Sequence, residues 1–352
     1  MDFGIYEKKF TEAARASKKS TQYIERCLRY AKPLIDRGLP VIYNVDHFSK
    51  LVGVKVEYLY LMANGSRSFY RNFRIPKSNG KMRQISAPLP LLKDVQRFIL
   101  TEILCRMPCH PCAKAYIKKH TLKDNAKFHR NQKILLKIDI QDYFPSLRTE
   151  RVYFFFYNLG YTKALSGLFA NLCTLSGGLP QGAPTSPYLS NLLTIQLDQQ
   201  LFEYCRDNGT LRYTRYADDI SISGCFEPRE VILNAYDIIE QNGLRPNKEK
   251  THVIGQHMQQ NVTGIVVNKK LQVSKAYRKR IRADIYYIRK YGVDEHLERI
   301  ATNANECDKE LYLQQLLGRV AYCLQINPKD KEMREYKEYI LQTIRGAKGK
   351  NI

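Results

Sequence analysis

Several features that would assign this chain to a membrane-spanning or secreted class are missing from the sequence. No segment approaches the ~18–20 consecutive apolar residues that a membrane-spanning helix needs. The first ten residues, MDFGIYEKKF, contain no apolar segment of the kind found in signal peptides. Internal repeats, low-complexity tracts and long linkers are also absent. The sequence therefore predicts a protein that neither crosses a membrane nor carries a secretion signal.

The nine cysteines do not form the evenly spaced framework of a disulfide-rich domain, and their odd number leaves at least one unpaired. Reduced thiols are the simplest interpretation, and they favour a cytoplasmic location. Hydrophobic residues make up 44% of the 352 residues, which is enough to bury a core and excludes a wholly disordered chain.

Negative charge is scarce. The chain has 34 Asp and Glu against 57 Lys and Arg, which gives a net charge of +23. Such an excess repels itself in a compact state, so a polyanionic partner is expected. Nucleic acid is the favoured partner, and an anionic membrane surface is the alternative.

Strand and helix patterns alternate through the middle of the chain and give way to helices at its end. Residues 5–37 read as one or two helices interrupted near Pro33. Two further helices flank Gly53; they fit a helix-turn-helix, although a helical cap on the next domain is favoured. Residues 72–88 predict a β-hairpin, because Asn-Gly separates two alternating runs. The pattern predicts an α+β core followed by an α-helical region.

Three carboxylates stand where strands are predicted to end. Asp139 is the last residue but one of the apolar run ILLKIDI, and Asp218 and Asp219 occupy the bend of a strand-turn-strand segment, residues 212–224. Consecutive strand side chains point to opposite faces, so the latter two converge only at a turn. If that turn lies beside Asp139, the oxygens form a site suited to two Mg²⁺ ions. The alternative is a solvated acidic turn.

The sequence segments that contain these aspartates resemble the motifs of a known family. Tyr216-Ala217-Asp218-Asp219 resembles the Y-x-D-D signature of reverse transcriptases, and LKIDIQDYFPSL resembles their first acidic motif. The resemblance implies that Asp139, Asp218 and Asp219 are the catalytic metal ligands. It also implies that Phe144 stacks under the incoming sugar and excludes a 2′-hydroxyl.

Further segments extend the resemblance over about residues 70–270. GGLPQGAPTSP resembles the loop in which Gln181 and Gly182 approach the template, and GLRPNKEKT the motif that places Lys250 near the triphosphate. The predicted hairpin matches the fingers, where Lys81 and Arg83 would reach the nucleotide phosphates. Arg83 is preferred, because a planar guanidinium pairs phosphate oxygens bidentately.

Two short strings narrow the resemblance to bacterial retron reverse transcriptases. These are Asn125-Ala126-x-x-His129 and Val262-Thr263-Gly264. The fold implied is a right-hand polymerase: an N-terminal helical segment (1–65), fingers and palm with an antiparallel palm sheet (66–275), and a helical thumb (276–352). The residues that the resemblance assigns to RNA recognition are Asn125, His129, Val262, Thr263, Gly264, Arg278 and Arg282. For the two strings, a packed imidazole and an ordinary turn are the plainer interpretations.

The resemblance implies an RNA-directed DNA polymerase that depends on two Mg²⁺ ions and uses dNTPs. It would bind a cognate structured non-coding RNA, prime from a 2′-hydroxyl in it and make branched multicopy single-stranded DNA. The resemblance also implies a partner effector protein that acts in anti-phage defence. No interaction with a membrane is expected. The alternatives are an intron-type or diversity-generating reverse transcriptase, or a non-catalytic nucleic-acid-binding protein with a polymerase-like palm.

Overall fold

The computed structural model describes residues 2–76, 80, 82–209, 211–300 and 309–348. Its helices are α1 (Phe3–Ala16), α2 (Thr21–Asp36), α3 (Val45–Val52), α4 (Val56–Asn64), α5 (Pro90–Phe98), α6 (Leu122–Lys127), α7 (Tyr143–Ser146), α8 (Thr149–Leu159), α9 (Lys163–Cys173), α10 (Ser186–Leu193), α11 (Ile195–Asp207), α12 (Pro228–Gln241), α13 (Lys275–Tyr291), α14 (Val293–Ile300), α15 (Lys309–Ile326) and α16 (Lys331–Lys348). Its strands are β1 (Tyr70–Pro76), β2 (Met82–Pro88), β3 (Ile134–Ile140), β4 (Arg212–Tyr216), β5 (Asp219–Gly224), β6 (Pro246–Gly255), β7 (Asn261–Val262), β8 (Ile265–Val266) and β9 (Gln272–Val273).

The N-terminal helices form a cap on the core. The predicted interruption near Pro33 is wrong, because α2 continues through that residue to Asp36. The break between α1 and α2 lies earlier, where the Ser20 hydroxyl caps α2 by accepting from the Tyr23 amide. Gly53 ends α3 with a φ of +68°, as expected for a residue without Cβ. Phe48 of α3 is fully buried, with its ring centroid 4.9 Å from that of Phe169.

Strands β1 and β2 pair as an antiparallel hairpin, from Tyr70 opposite Pro88 to Pro76 opposite Met82. This agrees with the pairing that the Asn-Gly sequence predicts. Most of the side chains of β1 and of the first half of β2 are exposed. The hairpin therefore projects from the core and can line a cleft.

The central sheet has the strand order β4-β5-β3-β6, and every neighbouring pair is antiparallel. Strand β3 lies between β5 and β6 and carries alternating buried residues such as Leu136 and Ile138. Helices α8 to α12 contribute to the same large hydrophobic cluster, which also includes Phe48 and Leu59 of the cap. The cap and the sheet thus share one core.

A second hydrophobic cluster holds the C-terminal helices together. It joins Ile281 of α13 and Leu316 of α15 to Val262 and Ile265 of the small sheet β7-β8-β9. The end of the central region therefore packs with the helical region that follows. Of the helices that the structure describes, none is both long enough and apolar enough to cross a membrane.

Candidate active site

The three aspartates predicted from the sequence come together at one end of the central sheet. Asp139 on β3 lies directly opposite Asp219 on β5. Such cross-strand partners have Cβ atoms about 5 Å apart. Asp218 belongs to the two-residue turn between β4 and β5, and its carbonyl accepts from the Ile140 amide at 3.0 Å. Residues separated by about 80 positions in sequence are thus neighbours.

Strand β6 supplies the partners of Asp139. The Lys250 Nζ lies 2.9 and 3.0 Å from its two carboxylate oxygens. Asn247, which is also its register neighbour, donates from Nδ2 to Oδ2 at 3.2 Å. A shift of register between Lys137 and Asp139 allows these β6 side chains to face the carboxylate.

Burial and neighbouring negative charge both raise the pKa values of the two carboxylates at the turn. Burial raises the pKa of Asp218, and the charges of Asp219 and Asp139 raise it further. Burial also raises the pKa of Asp219, with Asp139 adding to the rise while Lys137 and Lys250 oppose it. Both carboxylates would gain from a nearby cation, because it would offset the repulsion.

This donor set fits a hard divalent cation in chemistry, since carboxylate oxygens are the ligands that such ions prefer. The described residues contain no group of three or more His, Cys, Asp or Glu side chains already arranged around a metal position. Asp139 instead holds Lys250. Binding of metal at all three aspartates would therefore require Lys250 to release Asp139.

Aromatic rings line the approach to the aspartates. Phe144 is half-buried in α7, next to the fully packed Tyr143. Tyr116, which the sequence analysis did not single out, has its ring centroid 6.3 Å from that of Phe144 and 6.5 Å from that of Tyr216. Burial and the nearby Asp218 charge raise the pKa of Tyr116 to about 12, and Arg83 opposes this rise. Tyr116 thus lies between the hairpin, the Phe144 ring and the turn.

A cleft of about 620 Å³ separates the hairpin from the Gly/Pro-rich loop, and both Arg83 and Gln181 line it. The Gln181 carbonyl accepts from the Ser86 amide at 2.7 Å. Gly182 has a φ of +123°, and a Cβ there would lie 2.7 Å from the Ser86 carbonyl oxygen. Only glycine fits this contact, which is with β2. Lys81 lies outside the described residues.

Comparisons with known proteins agree with this geometry. The profile of the reverse transcriptase (RNA-dependent DNA polymerase) family matches residues 75–267, more than half of the chain. The retron Ec86 reverse transcriptase of Escherichia coli is 34% identical over 258 residues, which cover 71% of this chain and 80% of that protein. The retron Mx65 reverse transcriptase of Myxococcus xanthus is 30% identical over 358 residues, covering 92% and 80% respectively.

This chain belongs to the bacterial retron reverse transcriptases. The enzyme is therefore an RNA-directed DNA polymerase, and its family implies dependence on a divalent metal ion. The predictions of the family, the polymerase activity and the α+β right-hand fold with a helical thumb are confirmed.

The two strings that indicated a retron reverse transcriptase meet inside the protein. Thr214 Oγ1 donates to Asn125 Oδ1 at 2.6 Å and is 2.7 Å from His129 Nε2. His129 Nδ1 lies 2.7 Å from the Ser223 hydroxyl. Asn125 Nδ2 reaches Thr263 Oγ1 at 3.5 Å. Asn125 and His129 are both buried, so their polar groups face protein.

The Val262-Thr263-Gly264 string forms the turn between β7 and β8. Thr263 and Gly264 have φ values of +47° and +86°, the combination that a tight two-residue hairpin turn requires. Val262 is fully buried in the second hydrophobic cluster. The buried side chains of these two strings therefore stabilise the surrounding structure. Direct contact of Val262, Asn125 or His129 with RNA would require a rearrangement of the protein.

Both arginines predicted to recognise RNA are held by acidic residues of the thumb. Arg278 pairs with Asp330 and with Glu332, and Arg282 donates from Nη2 to Glu332 at 2.8 Å. The side chain of Arg282 remains 52% exposed, whereas that of Arg278 is 17% exposed. Arg282 is therefore the more accessible of the two to a phosphate.

Sequence reasoning also missed Arg215 and Asp198, a fully buried ion pair beneath the aspartate turn. One signal for it was present. Asp198 stands three residues before Leu201 and one after Leu197, on the face of α11 that is buried. A charge at a core position of an amphipathic helix requires a buried partner.

Proposed function

We propose that this enzyme copies a structured non-coding RNA, encoded beside its own gene, into DNA that stays joined to the RNA through a 2′-hydroxyl branch. The juxtaposition of Asp139 with Asp219 and the adjoining Asp218 carries the proposal, because it supplies acidic ligands at the end of an antiparallel sheet. Family membership supports the RNA template and DNA product. An effector protein acting against phage, and the three-part division at residues 65 and 275, belong to the same proposal.

In this proposal Asp139, Asp218 and Asp219 hold two Mg²⁺ ions. When bound, such ions lower the pKa of an attacking hydroxyl and stabilise the leaving pyrophosphate. Lys250 leaves Asp139 and turns to the triphosphate, which its exposed position allows. Asn247 keeps its hydrogen bond to Asp139 and so retains the orientation of the carboxylate.

Side chains around the cleft position the nucleotide and the template. Arg83 neutralises the phosphates of the dNTP, and Lys81, which the family resemblance indicates, shares this role. Phe144 packs under the sugar, where a 2′-hydroxyl would collide with its ring. Gln181 and Gly182 approach the template, with Gly182 fixed against β2 by its close contact with Ser86. The positions of Arg83 and Gln181 on one cleft support this arrangement.

Substitution Asp219→Ala tests the metal assignment. We expect loss of dNTP incorporation by at least 10³-fold, because one shared metal ligand disappears, while RNA binding stays within about twofold. Primer extension on a defined RNA template and a gel-shift measure the two quantities. Asp237→Ala, which removes an exposed aspartate of α12, is the matched control and should extend normally. Normal synthesis by Asp219→Ala would refute the assignment.

Substitution Phe144→Ala tests selection of the sugar. Removing the ring opens space for a 2′-hydroxyl, so ribonucleotide incorporation should rise by about tenfold or more relative to dNTP incorporation. Single-nucleotide extension with matched dNTP and rNTP measures the ratio. An unchanged ratio would remove Phe144 from this role.

The product distinguishes a retron reaction from other reverse transcription. The enzyme expressed with the DNA flanking its gene should co-purify with a nucleic acid that loses mass to both RNase and DNase. A debranching enzyme should release its DNA from the branched RNA. The Asp219→Ala variant should retain the RNA without the DNA. A linear product that debranching leaves unchanged would contradict 2′-priming.

A further inference from the structure

Arg215 is the largest fully buried side chain in the described parts of the chain. Its guanidinium pairs bidentately with Asp198, from Nε to Oδ1 at 2.8 Å and from Nη2 to Oδ2 at 2.5 Å. The Tyr213 hydroxyl donates to the same carboxylate at 2.6 Å. This leaves Nη1, on the far side of the fork, to bond elsewhere.

Nη1 of Arg215 reaches three acceptors on separate segments. It lies 2.7 Å from the Tyr143 hydroxyl, 3.0 Å from the Ala217 carbonyl oxygen and 3.3 Å from Asn191 Oδ1. Tyr143 precedes Phe144, and Ala217 precedes Asp218. One guanidinium nitrogen thus joins the segment of the sugar-facing ring to the turn of the carboxylates.

The turn needs such a support. Ala217 has a φ of +58°, a conformation that costs about 1 kcal/mol or more for a residue with a Cβ. Its carbonyl is held by Arg215 from within the protein, and the turn is 4% exposed at Ala217. A strained turn that is held from beneath presents Asp218 and Asp219 in one orientation.

The same network extends to Tyr116. Asn191 Nδ2 donates to the Ala115 carbonyl at 2.8 Å, while its Oδ1 receives Arg215. The Arg215 backbone also bonds to the chain on either side of Ala113. The backbone that carries Tyr116 into the site is therefore anchored on Arg215 and Asn191.

We propose that Arg215, oriented by Asp198, is a positioning residue that couples the metal-binding turn to the sugar-selecting ring. The coupling passes through the Ala217 carbonyl on one side and the Tyr143 hydroxyl on the other. It rests on the roles proposed above for Asp218, Asp219 and Phe144. If the coupling exists, loss of the Arg215–Asp198 pair alters both the dependence on Mg²⁺ and the discrimination between dNTP and rNTP. Neither residue of the pair contacts the substrate.

Substitution Tyr143→Phe removes only the hydroxyl that receives Arg215 from the side of the ring. We expect discrimination between dNTP and rNTP to fall about fivefold, the change that corresponds to loss of one hydrogen bond. Tyr161→Phe is the matched control, because this buried hydroxyl bonds to the Pro40 carbonyl in the N-terminal cap. Both variants should show similar thermal unfolding, and only Tyr143→Phe should change the dNTP/rNTP ratio.

A double variant, Arg215→Met with Asp198→Leu, removes the pair without leaving a buried charge and so favours retention of the fold. Its kcat should fall about 100-fold, as for a misplacement of about 1 Å in a reacting group. The Mg²⁺ concentration for half-maximal rate should rise, and the dNTP/rNTP ratio should fall. Wild-type values of all three in the folded variant would overturn the proposal.

The outcomes separate this inference from the proposed function. If the double variant does not fold, Tyr143→Phe decides, and a dNTP/rNTP ratio equal to that of Tyr161→Phe overturns the coupling. That result would leave the metal assignment intact, because the assignment depends on Asp219→Ala alone. Activity of Asp219→Ala would remove the assignment and the coupling together.

Discussion

The palm and the thumb use arginine–carboxylate pairs in opposite ways. In the palm, Arg215 and Asp198 are both fully buried. In the thumb, Arg282 and Glu332 have side chains that are 52% and 27% exposed. Water screens the second pair and not the first, so the two differ in what they cost to break.

The difference fits what each region is proposed to bind. A polymerase centre has to hold reacting groups within a fraction of an ångström, and a closed buried network does this. A surface that grips phosphate has to exchange one anion for another. Glu332, whose pKa the hydrogen bonds from Arg282 and Arg278 lower to about 2, is such an exchangeable anion. We propose that the palm pair fixes geometry and that the thumb pair keeps its arginines oriented for binding RNA.

Among the tests of this difference, the substitution Asp198→Ala should change the free energy of unfolding most. It leaves the Arg215 guanidinium buried without its carboxylate, so the free energy of unfolding should fall by about 3–5 kcal/mol. Glu332→Ala in the thumb should cost about 1 kcal/mol or less, because Arg282 is open to solvent and Arg278 keeps its pair with Asp330. Urea unfolding followed by circular dichroism measures both. Equal losses of unfolding free energy would show that the buried pair and the exposed pair contribute equally to stability, contrary to this comparison.

The proximity of the three candidate aspartates could be predicted from the sequence, because the motifs that carry them are local. Asp139 lies near the end of an apolar strand, and Asp218 and Asp219 lie at a turn between two strands, so short-range patterns are enough to place them. In the structure the three aspartates lie together at one end of the central sheet. The family comparison then confirmed the fold and the polymerase activity.

Contacts between distant segments could not be predicted in this way. Asn125 and His129 read as recognition residues, yet their partners Thr214 and Ser223 come from strands about 90 positions away. Strand β6 begins at Pro246, inside the segment GLRPNKEKT, which was identified only as a family motif and not as a strand. It is an edge strand, and the exposed charged residues Lys248, Glu249 and Lys250 near its start hide the alternation that identifies an inner strand.

The buried His129 allows a second comparison with a surface residue, the exposed His252. The expected effect on the free energy of unfolding is smaller than that of Asp198→Ala. Burial lowers its pKa to about 3, so the folded protein keeps this imidazole neutral while the unfolded chain protonates it below about pH 6.5. Its contribution to stability is therefore complete above that pH and is lost as pH falls. Between pH 7 and pH 5 the free energy of unfolding should drop by about 2 kcal/mol from this group.

The variant His129→Gln tests this dependence, because glutamine can bond both hydroxyls and does not titrate. Its stability between pH 7 and pH 5 should fall by about 2 kcal/mol less than that of the wild type. His252→Gln, at an exposed histidine, should follow the wild-type slope. Parallel slopes for His129→Gln and the wild type would mean that His129 accepts a proton in the folded state.

The smallest effect on stability belongs to Arg282→Ala in the thumb, where loss of the exposed pair should cost less than about 1 kcal/mol. RNA binding should report the change instead. If Arg282 leaves Glu332 for a phosphate, the slope of log affinity against log salt concentration should decrease by about one. Arg206→Ala removes a similarly exposed and paired arginine from α11, and its slope should match that of the wild type. A slope for Arg282→Ala equal to that of Arg206→Ala would place Arg282 with Arg215, as an arginine whose only partner is the protein itself.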